Sequence, residues 1–217
     1  MGLKKIELTP KRKSQTWRMV VVALWLVAAA GAAEKTKTLL FFGDSLTAGY
    51  GVDPDEAYPA LVQRKIDDAG RPWRVVNAGL SGETTAGGLR RLDWILRQHV
   101  DLFVVELGGN DGLRGIDPAT TRANLVTMID RVRQRYPDAV IVVAGMQLPT
   151  NMGPDYTQAF AAIYPEVAKE ARATLIPFLL DRVGGIPSLN QADGIHPTAE
   201  GHRIVADTVW HALQPLL

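Results

Sequence analysis

The chain of 217 residues contains no cysteine. That excludes a disulfide scaffold, a thiolate metal site and a cysteine nucleophile. Serine is nearly as scarce, at Ser14, Ser45, Ser81 and Ser188, and histidine occurs at His99, His196, His202 and His211. There is no P-loop, no G-x-G-x-x-G between a strand and a helix, and no G-x-S-x-G. Nucleotide sites of those kinds and the α/β-hydrolase nucleophile turn are therefore not indicated. His196 and His202 stand six apart with no acidic cluster beside them, a poor spacing for a metal.

The formal net charge is +1, unevenly spread. Residues 1–33 hold Lys4, Lys5, Lys11, Arg12, Lys13 and Arg18 against Glu7, a net +5, so the remainder carries −4. A mildly acidic body without a basic stripe argues against nucleic-acid binding. The basic start runs into the apolar stretch Met19–Ala30 and then the small residues Ala30-Gly31-Ala32-Ala33. This order predicts a secretory signal over 1–33, cleaved after Ala32 or Ala33, and a periplasmic or secreted protein. The apolar run is short of the roughly 20 residues that span a bilayer. An uncleaved anchor is the competing reading, in which the membrane contact is through this segment.

Residues 34–217 read as one domain. Buried-strand patterns at Leu39–Phe42, Trp73–Asn77, Leu102–Leu107, Ala139–Ala144 and Leu175–Leu179 alternate with helical ones. The helices are expected over Ala57–Ile66, around Leu89–Leu96, around Leu125–Val132, over Ala159–Ala171 with Pro165 as a kink or restart, and over Ala199–Leu213. Five strands alternating with helices predict a three-layer α/β/α fold on a parallel sheet. A flavodoxin-like order 2-1-3-4-5 is one possibility.

Ligands bind such sheets beyond the carboxyl ends of the strands. The first strand ends there in Gly43-Asp44-Ser45, which presents a hydroxyl, or else a serine that caps the next helix. Asp193-Gly194-Ile195-His196-Pro197 forms a loop before the last helix, and an Asp three residues before a His can reach its Nδ1. The alternative is a solvent-facing histidine. The second strand is followed by Asn77-Ala78-Gly79-Leu80-Ser81-Gly82-Glu83-Thr84 and the third by Glu106-Leu107-Gly108-Gly109-Asn110-Asp111. These turns offer backbone N–H groups and an uncharged amide to a developing oxyanion, or are simply tight turns with helix caps. The loops 79–89 and 146–152 supply Leu80, Leu89, Met146, Leu148 and Met152, read either as an acyl-binding set or as packing of loops on the sheet.

Together the four blocks resemble the GDSL-type, or SGNH, hydrolases over residues 38–215. Within that family, Gly109–Gly115, Pro149–Gly153 and Phe160–Pro165 look most like the exported bacterial thioesterase, lysophospholipase and arylesterase group. Thr150 departs from it, since a second Pro or an Ala is common there. The resemblance implies the SGNH fold, with Ser45 as nucleophile, His196 as base and acid, and Asp193 as its orienter. The oxyanion donors would be the Ser45 N–H, the Gly82 N–H and the Asn110 side chain, with Asp44 and Asp111 holding the loops. It implies a serine esterase acting on small acyl or aryl esters, thioesters or lysophospholipids, without cofactor. A carbohydrate O-deacetylase of the same fold and a catalytically silent α/β binding module are the alternatives. The oligomeric state is left open.

Overall fold

The computed structural model describes residues 1–2 and 35–217, so the segment read as an export signal lies, beyond its first two residues, outside the described part. The described chain begins with β1 (Lys37–Gly43), the one-turn helix α1 (Ser45–Ala48), α2 (Tyr58–Asp68) and β2 (Trp73–Gly79). It continues through α3 (Thr85–Ile95), β3 (Leu102–Glu106), α4 (Gly109–Leu113), α5 (Pro118–Arg135) and β4 (Val140–Ala144). It ends with α6 (Pro154–Glu170), β5 (Thr174–Ile176) and α7 (Ala199–Leu213). The strands form one parallel sheet in the order β2-β1-β3-β4-β5.

Burial explains the first strand's unbroken apolar run. Leu39, Leu40, Phe41 and Phe42 are all fully buried, because β1 is covered on both faces. Phe41 meets Tyr58 of α2 edge-on at 5.3 Å. Phe42, pointing the other way, meets Phe103 at 5.7 Å and lies under the Arg91 guanidinium of α3. Helix α2 packs on α7, whereas α3 packs on α5 and α5 on α6. The helical layers and the sheet thus form the expected sandwich.

Two expectations shift. Pro165 does not restart the helix but sits inside a single 17-residue one. The fifth strand stops at Ile176, before Pro177, which has no N–H to give a ladder. It pairs with β4 alone, as an edge strand.

The register positions the site. Gly43 lies opposite Gly79 of β2 and Glu106 of β3, so the three chain segments that follow these residues leave the sheet side by side. Ala144 lies opposite Ile176, which brings the 145–149 and 177–180 segments together as neighbours. Gly43 is needed for space, since a Cβ there would run into Thr47 Oγ1 and Glu106 Oε2. Overpacking of this kind costs about 1–3 kcal/mol. Gly43→Ala should therefore lower the unfolding free energy by that amount in urea titrations; an unchanged midpoint would show that the turn relaxes freely.

Candidate active site

Asp44, not Ser45, caps α1. Its Oδ1 accepts from Leu46 N–H at 3.0 Å. Ser45 is then the first helical residue, and its own N–H has no partner among the described residues. The Ser45 side chain meets the ring of His196, with Oγ 2.9 Å from Nε2 across 151 residues of sequence. On the far side of the ring Nδ1 is 2.7 Å from Asp193 Oδ2.

The protonation follows from the partners. Partial burial alone would raise the Asp193 carboxyl. The hydrogen bond from the His196 ring and those from the Ile195 and His196 N–H groups outweigh it and hold the group at about 2. An ionised carboxylate only accepts, so Nδ1 carries the ring proton and Nε2 accepts from Ser45 Oγ–H. This is the tautomer a general base needs.

Around Ser45 stand donors with nothing to donate to. The Gly82 N–H, like that of Ser45, has no partner among the described residues, and Gly82 adopts a φ of 76° that suits a residue without Cβ. The Asn110 amide gives one hydrogen to Asp44 Oδ2 at 3.0 Å and keeps the other free. Ser45, Gly82, Asn110 and His196 line one cavity of about 600 Å³.

Of the five side chains expected to bind an acyl group, Met146 and Leu148 line this cavity. Leu80, Leu89 and Met152 do not. Leu80 is 52% exposed beside its rim. Leu89 belongs to α3 and packs on the core, its carbonyl facing Arg131. Met152 lies half-buried in a 3-10 turn behind Thr150. The other apolar walls are Leu46, Tyr50, Leu113, Phe178, Leu180 and Ile195. Phe178 was hidden in a stretch read as strand, Leu175–Leu179, and Leu180 just beyond it carried no signal of its own.

Two clasps also escaped the sequence reading. Arg91 Nε donates to Glu83 Oε2 at 2.5 Å and its Nη2 to Ala78 O at 2.8 Å and Gly43 O at 3.3 Å. It fastens the 80–84 turn to the ends of β1 and β2. Gln191 donates through Nε2 to Tyr50 O at 2.7 Å and Pro197 O at 3.0 Å, and through its backbone N–H to His196 O at 2.7 Å. A long-range polar contact of this sort leaves no periodic trace. Asp111 holds the start of α3, accepting from Thr85 N–H at 2.8 Å and from the Thr85 hydroxyl, as expected of a loop-holding residue.

Asp44 itself is buried, and burial raises its carboxyl to about 6 against the hydrogen bonds from Leu46 and Asn110 and the positive influence of His196. In the unfolded chain it titrates near 3.8. Between those values the folded protein holds a proton that the unfolded chain has released, so stability falls as pH rises from about 4 to about 6. Asp44→Asn should flatten that part of the pH–stability curve measured by urea unfolding. A slope identical to that of the wild type would refute the burial effect.

The model of the GDSL-like Lipase/Acylhydrolase family matches residues 41–204. The chain is 44% identical over 197 residues to Esterase TesA of Pseudomonas aeruginosa, covering 90% of this chain and 96% of that one. It is 41% identical over 195 residues to Thioesterase 1/protease 1/lysophospholipase L1 of Escherichia coli, covering 89% and 91%. A crystal structure of TesA superposes with a TM-score of 0.80 at 44% identity, over 83% of this chain and all of that one.

Proposed function

Because the chain belongs to the GDSL-like lipase/acylhydrolase family and is a carboxylic ester hydrolase, we infer that Ser45, His196 and Asp193 carry its chemistry through an acyl-enzyme. The observation that supports this is the hydrogen-bonded row from Ser45 Oγ through His196 to Asp193, opening into a cavity with unpartnered N–H groups. Ser45 Oγ attacks the carbonyl carbon while its proton passes to His196 Nε2. The carbonyl oxygen becomes an oxyanion, for which the Ser45 and Gly82 N–H groups and the free Asn110 hydrogen are the donors. Collapse breaks the bond to the leaving oxygen or sulfur, which takes the proton from Nε2. Water then attacks the acyl-enzyme, gives a proton to Nε2, and Ser45 leaves as the hydroxyl. Every step uses groups of this chain and water.

The substrates we infer are small acyl or aryl esters, together with the thioesters and lysophospholipids to which the Escherichia coli relative's name refers. Met146, Leu148, Phe178 and Leu180 make the cavity apolar, which suits an acyl chain longer than acetyl.

Ser45→Ala should abolish hydrolysis of p-nitrophenyl esters with a thermal midpoint near that of the wild type. Asn110→Ala should lower kcat by roughly 10²–10³ with a smaller change in KM, as for loss of one oxyanion donor. Turnover above a tenth of the wild-type rate in Ser45→Ala, or a pure KM defect in Asn110→Ala, would overturn the respective assignment.

We further infer export. The net +5 at residues 1–33, the apolar stretch and the small residues before Glu34 support a cleaved signal and a periplasmic or secreted domain starting at Ala33 or Glu34. The intact mass of the protein recovered from the periplasmic fraction should match that start; residues 1–30 still attached would support the anchor instead.

A further inference from the structure

Tyr50 stands beside the reacting groups without belonging to the triad. Its ring centroid is 4.6 Å from that of His196, with the planes tilted by 42°. It lines the same cavity as Ser45 and yet remains 52% exposed. Its place is fixed through the backbone: Tyr50 N–H donates to Ser45 O at 3.0 Å, and Tyr50 O accepts from Gln191 Nε2 at 2.7 Å. Gln191 in turn holds the His196 carbonyl. The ring is thus registered against both ends of the Ser45–His196 hydrogen bond, while much of its surface stays open.

A leaving atom that takes its proton from His196 Nε2 must come within about 3 Å of it. Whatever is bonded to that atom then passes along the His196 ring, where Tyr50 stands. The acyl chain is bonded to the carbonyl carbon instead. The segments beyond β4 and β5 supply it with separate apolar walls, Met146, Leu148, Phe178 and Leu180.

We propose that Tyr50 is the wall of the leaving-group side and selects flat aromatic leaving groups, phenols and thiophenols, over alkyl alcohols. The proposal rests on the roles inferred for Ser45 and His196. An aromatic ring rewards a second ring with offset or edge contacts that an alkyl group does not make.

The test uses the purified enzyme with phenyl butanoate and ethyl butanoate, which pass through the same butanoyl-enzyme. Comparing each variant with the wild type cancels the intrinsic difference between the two leaving groups. Tyr50→Ala should lose about tenfold more kcat/KM on the phenyl ester than on the ethyl ester, the size of a lost ring contact plus its buried area. Tyr50→Leu, which keeps apolar bulk beside His196, should lose the aromatic preference as well, and Tyr50→Phe should retain it. An equal fall with both esters, accompanied by slower release of butanoate from the acyl-enzyme, would make Tyr50 a positioning residue for His196 and overturn the proposal. A loss that grows with acyl length at a fixed phenyl group would place Tyr50 on the acyl side, with the same consequence. Failure of the underlying reading shows separately, as turnover of either ester by Ser45→Ala.

Discussion

A carboxyl group sealed beneath the Asp44–Ser45 turn ties the site to the sheet. Glu106, the last residue of β3, is fully buried, and its Oε2 accepts from Asp44 N–H at 3.2 Å and from Thr47 Oγ1–H at 2.7 Å. Tyr58 OH donates to Thr47 Oγ1 at 2.7 Å and carries the connection into α2. Burial, reinforced by the like charge of Asp44, pushes the Glu106 carboxyl well above the usual carboxylate range. Since Oε2 already accepts two hydrogens, a proton on this group belongs on Oε1, which has no partner among the described residues. A lone buried polar atom is costly. The Glu106 carboxyl stands against the turn that carries Ser45, and the missing Cβ of Gly43 is what makes room for its Oε2.

The remaining parts of the site are tied to this point from two sides. Arg91 draws the 80–84 turn onto Gly43 and Ala78, and it stacks over Phe42 at 4.2 Å. Its partner Glu83 is also buried, so the pair is screened little by solvent and fixes the turn firmly. Arg114 adds a hydrogen bond to the Gly82 carbonyl at 3.0 Å. On the other side Gln191 joins the chain leaving α1 to the Asp193–His196 loop, and Gly51, at φ 77°, makes room for the Gln191 amide. Ser45 stands 151 residues from His196 along the chain, and such contacts rather than sequence proximity hold it in register with the Asp193–His196 loop.

The sheet was legible because strands buried on both faces are continuous apolar runs, as at Leu39–Phe42, and because their ends were marked by glycine. Ser45, His196 and Asp193 were legible for a related reason: each lies in a short block where small residues free the backbone beside a reactive side chain. The cavity wall was less so. Leu80 and Leu89 share a loop-like stretch with Ser81 and Gly82, but Leu89 had already entered α3 and turned to the core. Phe178 looked like strand, but β5 ends at Ile176, before Pro177. Arg91 reaches Gly43 and Gln191 reaches Tyr50 across 48 and 141 residues of chain, which no local pattern encodes.

Two histidines on the same stretch show that partners, not residue type, set the role. His196 turns Nδ1 to an ionised carboxylate, so its proton is held there and Nε2 is left to accept from Ser45. His202, six residues on and inside α7, turns Nδ1 to the Tyr58 N–H at 3.3 Å, so Nδ1 is the acceptor and the neutral ring carries its proton on Nε2. Burial, with the nearby His196 adding to it, lowers the His202 ring to about 4, so it stays neutral. Stacked on Tyr58 at 6.3 Å, the neutral ring serves packing. It adds no fixed positive charge near His196, where one would oppose the imidazolium of the proposed acylation step.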